Sequence, residues 1–145
     1  MEFFEKQKVF AILYDAVTEK VRDTYGLTRA EFDVLMFLHN NPQYKTAAQV
    51  VKIRKLPKSQ VSVSVSNLCK YNLLEAAKNN GNKKTVFLTL TEEGRIASEK
   101  GLDAQRAFGK MIFDGFSDAD KKTMKDYYDK ALSNAEKHLT EKEKC

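Results

Sequence analysis

Between Leu56 and Leu90 the chain reads LPKSQVSVSVSNLCKYNLLEAAKNNGNKKTVFLTL, and the hydrophobic pattern changes character along it. Leu74 to Lys78 and Thr85 to Leu90 read as two strands about an Asn79-Asn80-Gly81-Asn82 tip, whose residues tolerate the positive φ of a tight turn. Ahead of them, Gln60 to Ser66 alternates with a period of two in β-branched and small residues, a strand pattern by local criteria. Two features argue instead for a helix. Val61, Val65, Leu68 and Asn72 share one helical face, and Pro57 suits a helix start as Asn72 suits a left-handed C-cap. The residues alone leave both readings open, with the helix favoured. As a helix, the segment turns Ser59, Ser62, Val63, Ser66, Asn67 and Lys70 to its other side, short hydrogen-bonding groups that suit base edges. A helix that can enter a major groove beside a basic hairpin that can reach a minor groove is a DNA-reading arrangement.

The charge distribution supports this. Between Tyr44 and Val86 stand nine basic residues (Lys45, Lys52, Arg54, Lys55, Lys58, Lys70, Lys78, Lys83 and Lys84) against Glu75 alone, a local +8 in a chain whose total is +5. One basic segment in a mildly acidic scaffold is the footprint of a polyanion-binding module, the plain alternative being a solvated basic surface. The 42% hydrophobic content supports a core and rules out disorder throughout. No apolar run approaches the roughly 18 residues of a membrane span, and the start MEFFEKQK lacks a signal peptide's apolar stretch. A soluble, cytoplasmic protein with no membrane partner is expected. Cys69 and Cys145 make no disulfide framework, and Cys69 reads as a small half-buried helix residue. An enzyme is not expected: there is no Ser-His-Asp set, metal constellation or glycine-rich phosphate loop, and His39 reads as an ordinary helix-end residue. No cofactor or metal is expected either.

The rest of the chain reads as helices. Residues 2–24 carry a stripe of Phe3, Phe10, Leu13, Val17 and Val21, too long for a small domain to bury, which points to a second chain. Gly26 ends it. Thr28 and Glu31 form a capping-box pattern opening a second helix to about Asn40, which buries Phe32, Leu35, Met36 and Leu38. Thr46 caps a short third helix to about Lys55, with Ala48, Val51 and Val50 as its inward candidates. After the hairpin, Thr91-Glu92-Glu93 starts another helix, and Ser117 with Asp120 starts the last, which carries Met124, Tyr127, Tyr128, Ala131, Leu132 and Ala135.

This order and these lengths resemble the MarR family of winged helix-turn-helix regulators. The resemblance is most specific in Gly26-Leu27-Thr28 with Glu31-Phe32-Asp33-Val34-Leu35, in Leu73-Leu74, and in Leu88-Thr89-Leu90-Thr91 with Glu92-Glu93-Gly94. It implies a mainly α fold with a small β-hairpin wing (α+β), and it favours the helix for 57–71. It divides the chain into a winged helix-turn-helix DNA-binding domain, 27–100, and a helical dimerisation region drawn from both termini, 1–25 and 101–140. Three departures stand out: lysines at the wing tip where the family usually has an acidic residue and an arginine, Val63 where many members have arginine, and Asn72 where glycine is usual.

The function implied is a homodimeric, sequence-specific transcriptional regulator of double-stranded DNA, a repressor acting on a pseudo-palindromic operator. Ser59, Gln60, Ser62, Val63, Ser66 and Asn67 would face base edges, with Gln60 shaped for a bidentate contact to adenine. Lys45, Lys58 and Lys70 would hold phosphates, and Lys83 and Lys84 would enter or flank the minor groove. Phe3, Phe10, Leu13, Val17, Tyr128, Ala131 and Ala135 are the dimer-interface candidates. By resemblance alone, a small aromatic effector would sit in a crevice lined by Phe4, Tyr14, Phe32 and Met36, residues for which core packing is the plainer role. The alternative function is a protein-interaction module that uses the same basic surface on an acidic partner.

Overall fold

The computed structural model describes residues 2–79 and 81–143, excepting the side chains of residues 3, 79, 82, 83 and 140–143. The expectations for the side chains of Phe3 and Lys83, and for Cys145, therefore lie outside the described residues. In chain order the elements are α1 (Glu2–Glu5), α2 (Lys8–Tyr25), α3 (Arg29–Asn40), α4 (Ala47–Arg54), α5 (Lys58–Lys70), β1 (Leu74–Asn79), β2 (Asn82–Leu90), α6 (Glu92–Ile112) and α7 (Asp118–Glu143). The mainly α architecture with one two-stranded hairpin is present, and 57–71 is helical. The chain divides into two compact units, residues 1–108 and 109–145.

The first unit is organised around α3. Thr28 Oγ1 accepts from the Glu31 N–H (3.2 Å) and Glu31 Oε1 accepts from the Thr28 N–H (3.0 Å), closing the capping box that the sequence shows. From this start Phe32, Val34, Leu35, Met36, Phe37 and Leu38 are all buried, so the helix is enclosed on nearly every side. A second capping box, Thr46 with Gln49, opens α4. Here the inward side differs from expectation. Ala48 is exposed, whereas Val50 is completely buried and Val51 half-buried, because the short helix packs through its middle turn.

Residues 2–24 were expected to form one helix. The structure breaks it at Lys6-Gln7, where the bonds Val9 N–H to Lys6 O (3.1 Å) and Phe10 N–H to Gln7 O (3.1 Å) span three residues instead of four. No side chain caps α2 at Gln7, and a four-residue helix such as α1 is too short to be stable by itself. α2 ends at Gly26 with φ +65°, its N–H donating to Arg22 and Asp23 carbonyls, the left-handed C-terminal cap that favours glycine. The stripe is also rotated. Tyr14, Val21 and Tyr25 pack on the core and Thr18 is fully buried between them, while Val9, Phe10 and Ile12 remain exposed.

The wing is tied to the helices at both ends. β1 and β2 pair antiparallel from Leu74↔Leu90 to Lys78↔Val86, with a register shift before Asn79↔Asn82. Thr46 bridges to Phe87, and the Leu88 N–H donates to Lys45 O at 2.8 Å. At the other end Asn72 takes φ +59°, Thr91 Oγ1 donates to Asn72 O (2.7 Å), and the Thr91 N–H donates to Leu73 O (3.2 Å). Gly94 lies so close that a Cβ there would stand 1.9 Å from Leu73 O. The Glu92-Glu93-Gly94 signature thus marks a backbone crossing that only glycine permits. α6 then runs through residue 100, the expected domain boundary, without a break, and Gly101 sits against Met36 and Phe32.

In the second unit, Phe113 and Phe116 meet edge to face at 5.5 Å. Ser117 and Asp120 cap α7 reciprocally, each backbone N–H donating to the other's side-chain oxygen at 3.0 Å. Every α7 residue whose side chain is described is exposed, including Met124, Tyr127, Tyr128 and Leu132. Among the described residues, no helix is long and apolar enough to cross a membrane.

Candidate nucleic-acid interface

One side of α5 is locked into the core through Val61, Ser64, Val65 and Leu68, each at most 8% exposed. The period-two alternation that suggested a strand is resolved by this burial: Val61 and Val65 point inward and Val63 outward, as a 3.6-residue period requires. Ser59, Gln60, Ser62, Val63, Ser66 and Lys70 stand exposed on the other side. Between Lys58 and Lys70 that helix carries no charged residue, so its outward surface is neutral and hydrogen-bonding, with a cation at each end. Pro57 supplies no side-chain cap, which leaves the first-turn N–H groups of α5 directed outward as donors suited to an anion.

Asn67 does not join this face. It is half-buried, and its Nδ2 donates to Glu31 Oε2 at 2.8 Å. Glu31, itself buried, therefore uses one carboxylate oxygen to cap α3 and the other to hold α5. Sequence reading recognised the first role and missed the second, which has no signal at a separation of 36 residues. Arg54, counted in the basic segment, is also committed: its Nη2 stands 2.5 Å from Asp33 Oδ1.

Lys45 is exposed at the wing's anchored end, Lys58 and Lys70 at the ends of α5, and Lys78 and Lys84 on the strands of the wing. Lys58, Ser59, Gln60, Ser62, Val63, Ser66 and Lys70 are thus exposed on α5, Lys84 on the wing, and Lys45 just ahead of α4.

Of the effector candidates, Tyr14 and Met36 line a crevice of about 250 Å³ together with Asp33, Phe37, Asn40, Arg54 and Gln105. Phe32 belongs to the core and is only 2% exposed, and Phe4 lies on the exposed α1. Neither is among the residues that line this crevice. Gln105 links its walls, donating to the Tyr14 hydroxyl (2.8 Å) and accepting from Asn40 (3.0 Å). Burial pushes the Tyr14 phenol above its ordinary range, an effect that the Gln105 hydrogen bond partly offsets. Of the dimer candidates, Phe10, Tyr128, Ala131 and Ala135 are exposed and Leu13 and Val17 half-buried.

His39 is an interhelical hydrogen-bonding residue, with Nδ1 3.0 Å from Ser98 Oγ. No cluster of metal-ligating side chains occurs among the described residues. Cys69 is half-buried, and burial raises its thiol pKa, which disfavours the reactive thiolate.

Residues 25–84 match the family model described as "MarR family". Among curated proteins, the chain is similar to an uncharacterized HTH-type transcriptional regulator of Bacillus subtilis, YvnA, at 27% identity over 70% of this chain and 66% of the relative. The matched stretch therefore spans just under two thirds of that relative's length. Among solved structures, it resembles a putative MarR family transcriptional regulator from Listeria monocytogenes in complex with a 26mer DNA, with a TM-score of 0.78, 23% identity, and coverage of 88% of this chain and 84% of that one. It also resembles Bordetella bronchiseptica BpsR, whose DNA binding is regulated by 6-hydroxynicotinic acid, with a TM-score of 0.72, 21% identity, and coverage of 92% and 99%. The two structural likenesses establish the fold.

Proposed function

We propose that this chain belongs to the MarR family of winged helix-turn-helix regulators, whose model matches residues 25–84, and that it acts as a homodimeric, sequence-specific repressor of transcription, released from DNA by a small ligand. The observation that carries the reading is the division of α5 into a buried apolar side and an exposed face of neutral hydrogen-bonding groups with a lysine at each end. A solvated helix has no need of such a face, whereas a major groove supplies donors and acceptors to match it. Gln60 would address adenine, and Ser59, Ser62, Val63 and Ser66 neighbouring base edges. Lys45, Lys58 and Lys70 would hold phosphates, with Lys83 and Lys84 at the minor groove. Lysine there acts as a point charge without arginine's planar fork, so the wing adds affinity more than sequence information.

Dimerisation through the terminal regions, 1–25 and 101–140, would place two DNA-binding domains, 27–100, on a pseudo-palindrome with half-sites about one turn apart. The exposed apolar side chains of α2, Val9, Phe10 and Ile12, and of α7, Met124, Tyr127, Tyr128 and Leu132, support this as surface that a partner chain would cover. The ligand would enter the Tyr14–Met36–Arg54 crevice. An anionic aromatic molecule would compete with Asp33 for Arg54 and so bear on α4, the helix that supports α5. BpsR, a structural neighbour, has its DNA binding regulated by 6-hydroxynicotinic acid, which supports a ligand-responsive reading.

The test is a fluorescence-anisotropy titration against duplexes from the region upstream of the protein's own gene and a scrambled control, across a salt series, with Lys83→Ala/Lys84→Ala alongside. The reading expects the upstream duplex to bind at least on the order of a thousandfold tighter, with a shallower salt slope for the double variant. Equal, weak binding to both duplexes that ignores the wing lysines would sink recognition of that region. A further negative against a random duplex pool would point to an acidic protein partner.

A further inference from the structure

We infer that the half-site read by α5 is made of A·T pairs beneath Gln60 and Val63, with a thymine methyl group as one of its specificity determinants. This rests on the DNA-binding reading above and names the class of sequence that reading leaves open.

The argument begins with what the surface lacks. Guanine offers two acceptors in the major groove, N7 and O6, and the side chain best matched to both is arginine's planar fork. From Lys45 to Leu90 the chain has a single arginine, Arg54, and Asp33 holds it at 2.5 Å within the crevice. The lysines of α5 occupy its first and last positions, where the reading above assigns them to phosphates, and no cation lies between them. The middle of the reading face therefore has no side chain suited to the strongest guanine contact.

What the surface offers points the same way. The helix has two side-chain amides, Gln60 and Asn67. Asn67 is spent on Glu31 at 2.8 Å, which leaves Gln60, exposed in the first turn, and glutamine pairs bidentately with adenine N6 and N7. Val63 lies three residues on, hence beside Gln60 on the helix surface. It is 60% exposed, a branched apolar group among serines, and the matching apolar group on base edges in the major groove is the thymine C5-methyl. Ser59, Ser62 and Ser66 accept either base and do not oppose this choice.

The experiment selects binding sites from a random duplex pool with the full chain. Each thymine of the selected site is then replaced singly by deoxyuridine, which removes only the methyl group, and affinities are read by anisotropy for the native chain and Val63→Ala. The expected result is A·T pairs at the centre of each half-site and one uridine substitution that weakens native binding about fourfold, the worth of one buried methyl group. Val63→Ala, which alters an exposed position outside the core, should be indifferent to that same substitution. G·C pairs at those positions would overturn the inference, as would uridine substitutions that weaken both proteins equally or neither. A pool that shows no enrichment would overturn the DNA-binding reading itself.

Discussion

α5 and α7 are both helices with weak apolar stripes, yet they are stabilised in opposite ways. α5 has 13 residues, three of them valines with modest helix propensity, and it is helical because Val61, Val65 and Leu68 are buried against α3, α4 and the wing. α7 has 26 residues with reciprocal capping and i,i+4 ion pairs such as Lys122–Asp126 and Lys125–Asp129, but none of its described side chains is buried. Tertiary packing overrules local preference in α5. In α7, local preference stands with none of the described side chains buried. The comparison teaches that the first helix is set by its own chain, and that the second exposes the apolar surface a partner would cover.

The sharpest way to break this comparison is to charge the apolar side of α7. Tyr128→Asp/Leu132→Asp should convert the protein to a monomer in analytical ultracentrifugation. Loss of the second half-site should then lower operator affinity by about 10²- to 10⁴-fold, with the thermal stability of the α5 unit retained. A dimeric variant with native affinity would refute the assignment of that face.

Gly94→Ala strikes the other side of the comparison. Its Cβ would fall 1.9 Å from Leu73 O, so the wing, α5 and α6 cannot all keep their places, and a loss of about 3 kcal/mol in denaturant unfolding is expected. A change within about 0.5 kcal/mol would show that the crossing relaxes freely.

Asn67→Ala should cost about 1–3 kcal/mol of stability, because it leaves one oxygen of the buried Glu31 carboxylate without its donor. It should not alter which bases are preferred. A changed base preference with native stability would return Asn67 to the reading face. Gln60→Ala is its mirror image: stability should hold within about 0.5 kcal/mol, while binding weakens by roughly 1–3 kcal/mol with relaxed preference at one base pair.

The smallest effect concerns the start of α7. The Ser117 backbone and side chain hold the Asp120 carboxyl below its usual range. The folded pKa lies below the unfolded one, so the contribution is present above the unfolded pKa and lost as pH falls through the folded value. A slight fraying of the first turn of α7 in acid is expected, visible as a lower amide-exchange protection factor at Ser117, whose N–H donates to the Asp120 carboxylate. In Asp120→Asn the exchange should lose that pH dependence.

The residues that could be read in advance share one property: their signal is local. Thr28 with Glu31 and Ser117 with Asp120 span three residues, Pro57 and Asn72 bracket one helix, and the Asn-Asn-Gly-Asn tip announces its own turn. The inward residues Phe32, Leu35, Met36 and Leu38 of α3 followed from a 3.6-residue period. What was misread needed knowledge of neighbours. Ala48 is exposed because α4 meets the core through Val50, and the helix breaks at Lys6-Gln7 with no glycine or proline to announce it.

By itself, then, the sequence determined the element order, the helix caps, the hairpin and the concentration of positive charge, because each depends on residues close together in the chain. Tertiary structure decided which of the candidate groups remain available. It withdrew Asn67 to Glu31 and Arg54 to Asp33, and left Gln60 and Val63 outward. Those choices depend on side chains up to 36 residues apart meeting across a packed core, where a buried carboxylate must find a donor and takes the nearest one that folding brings to it.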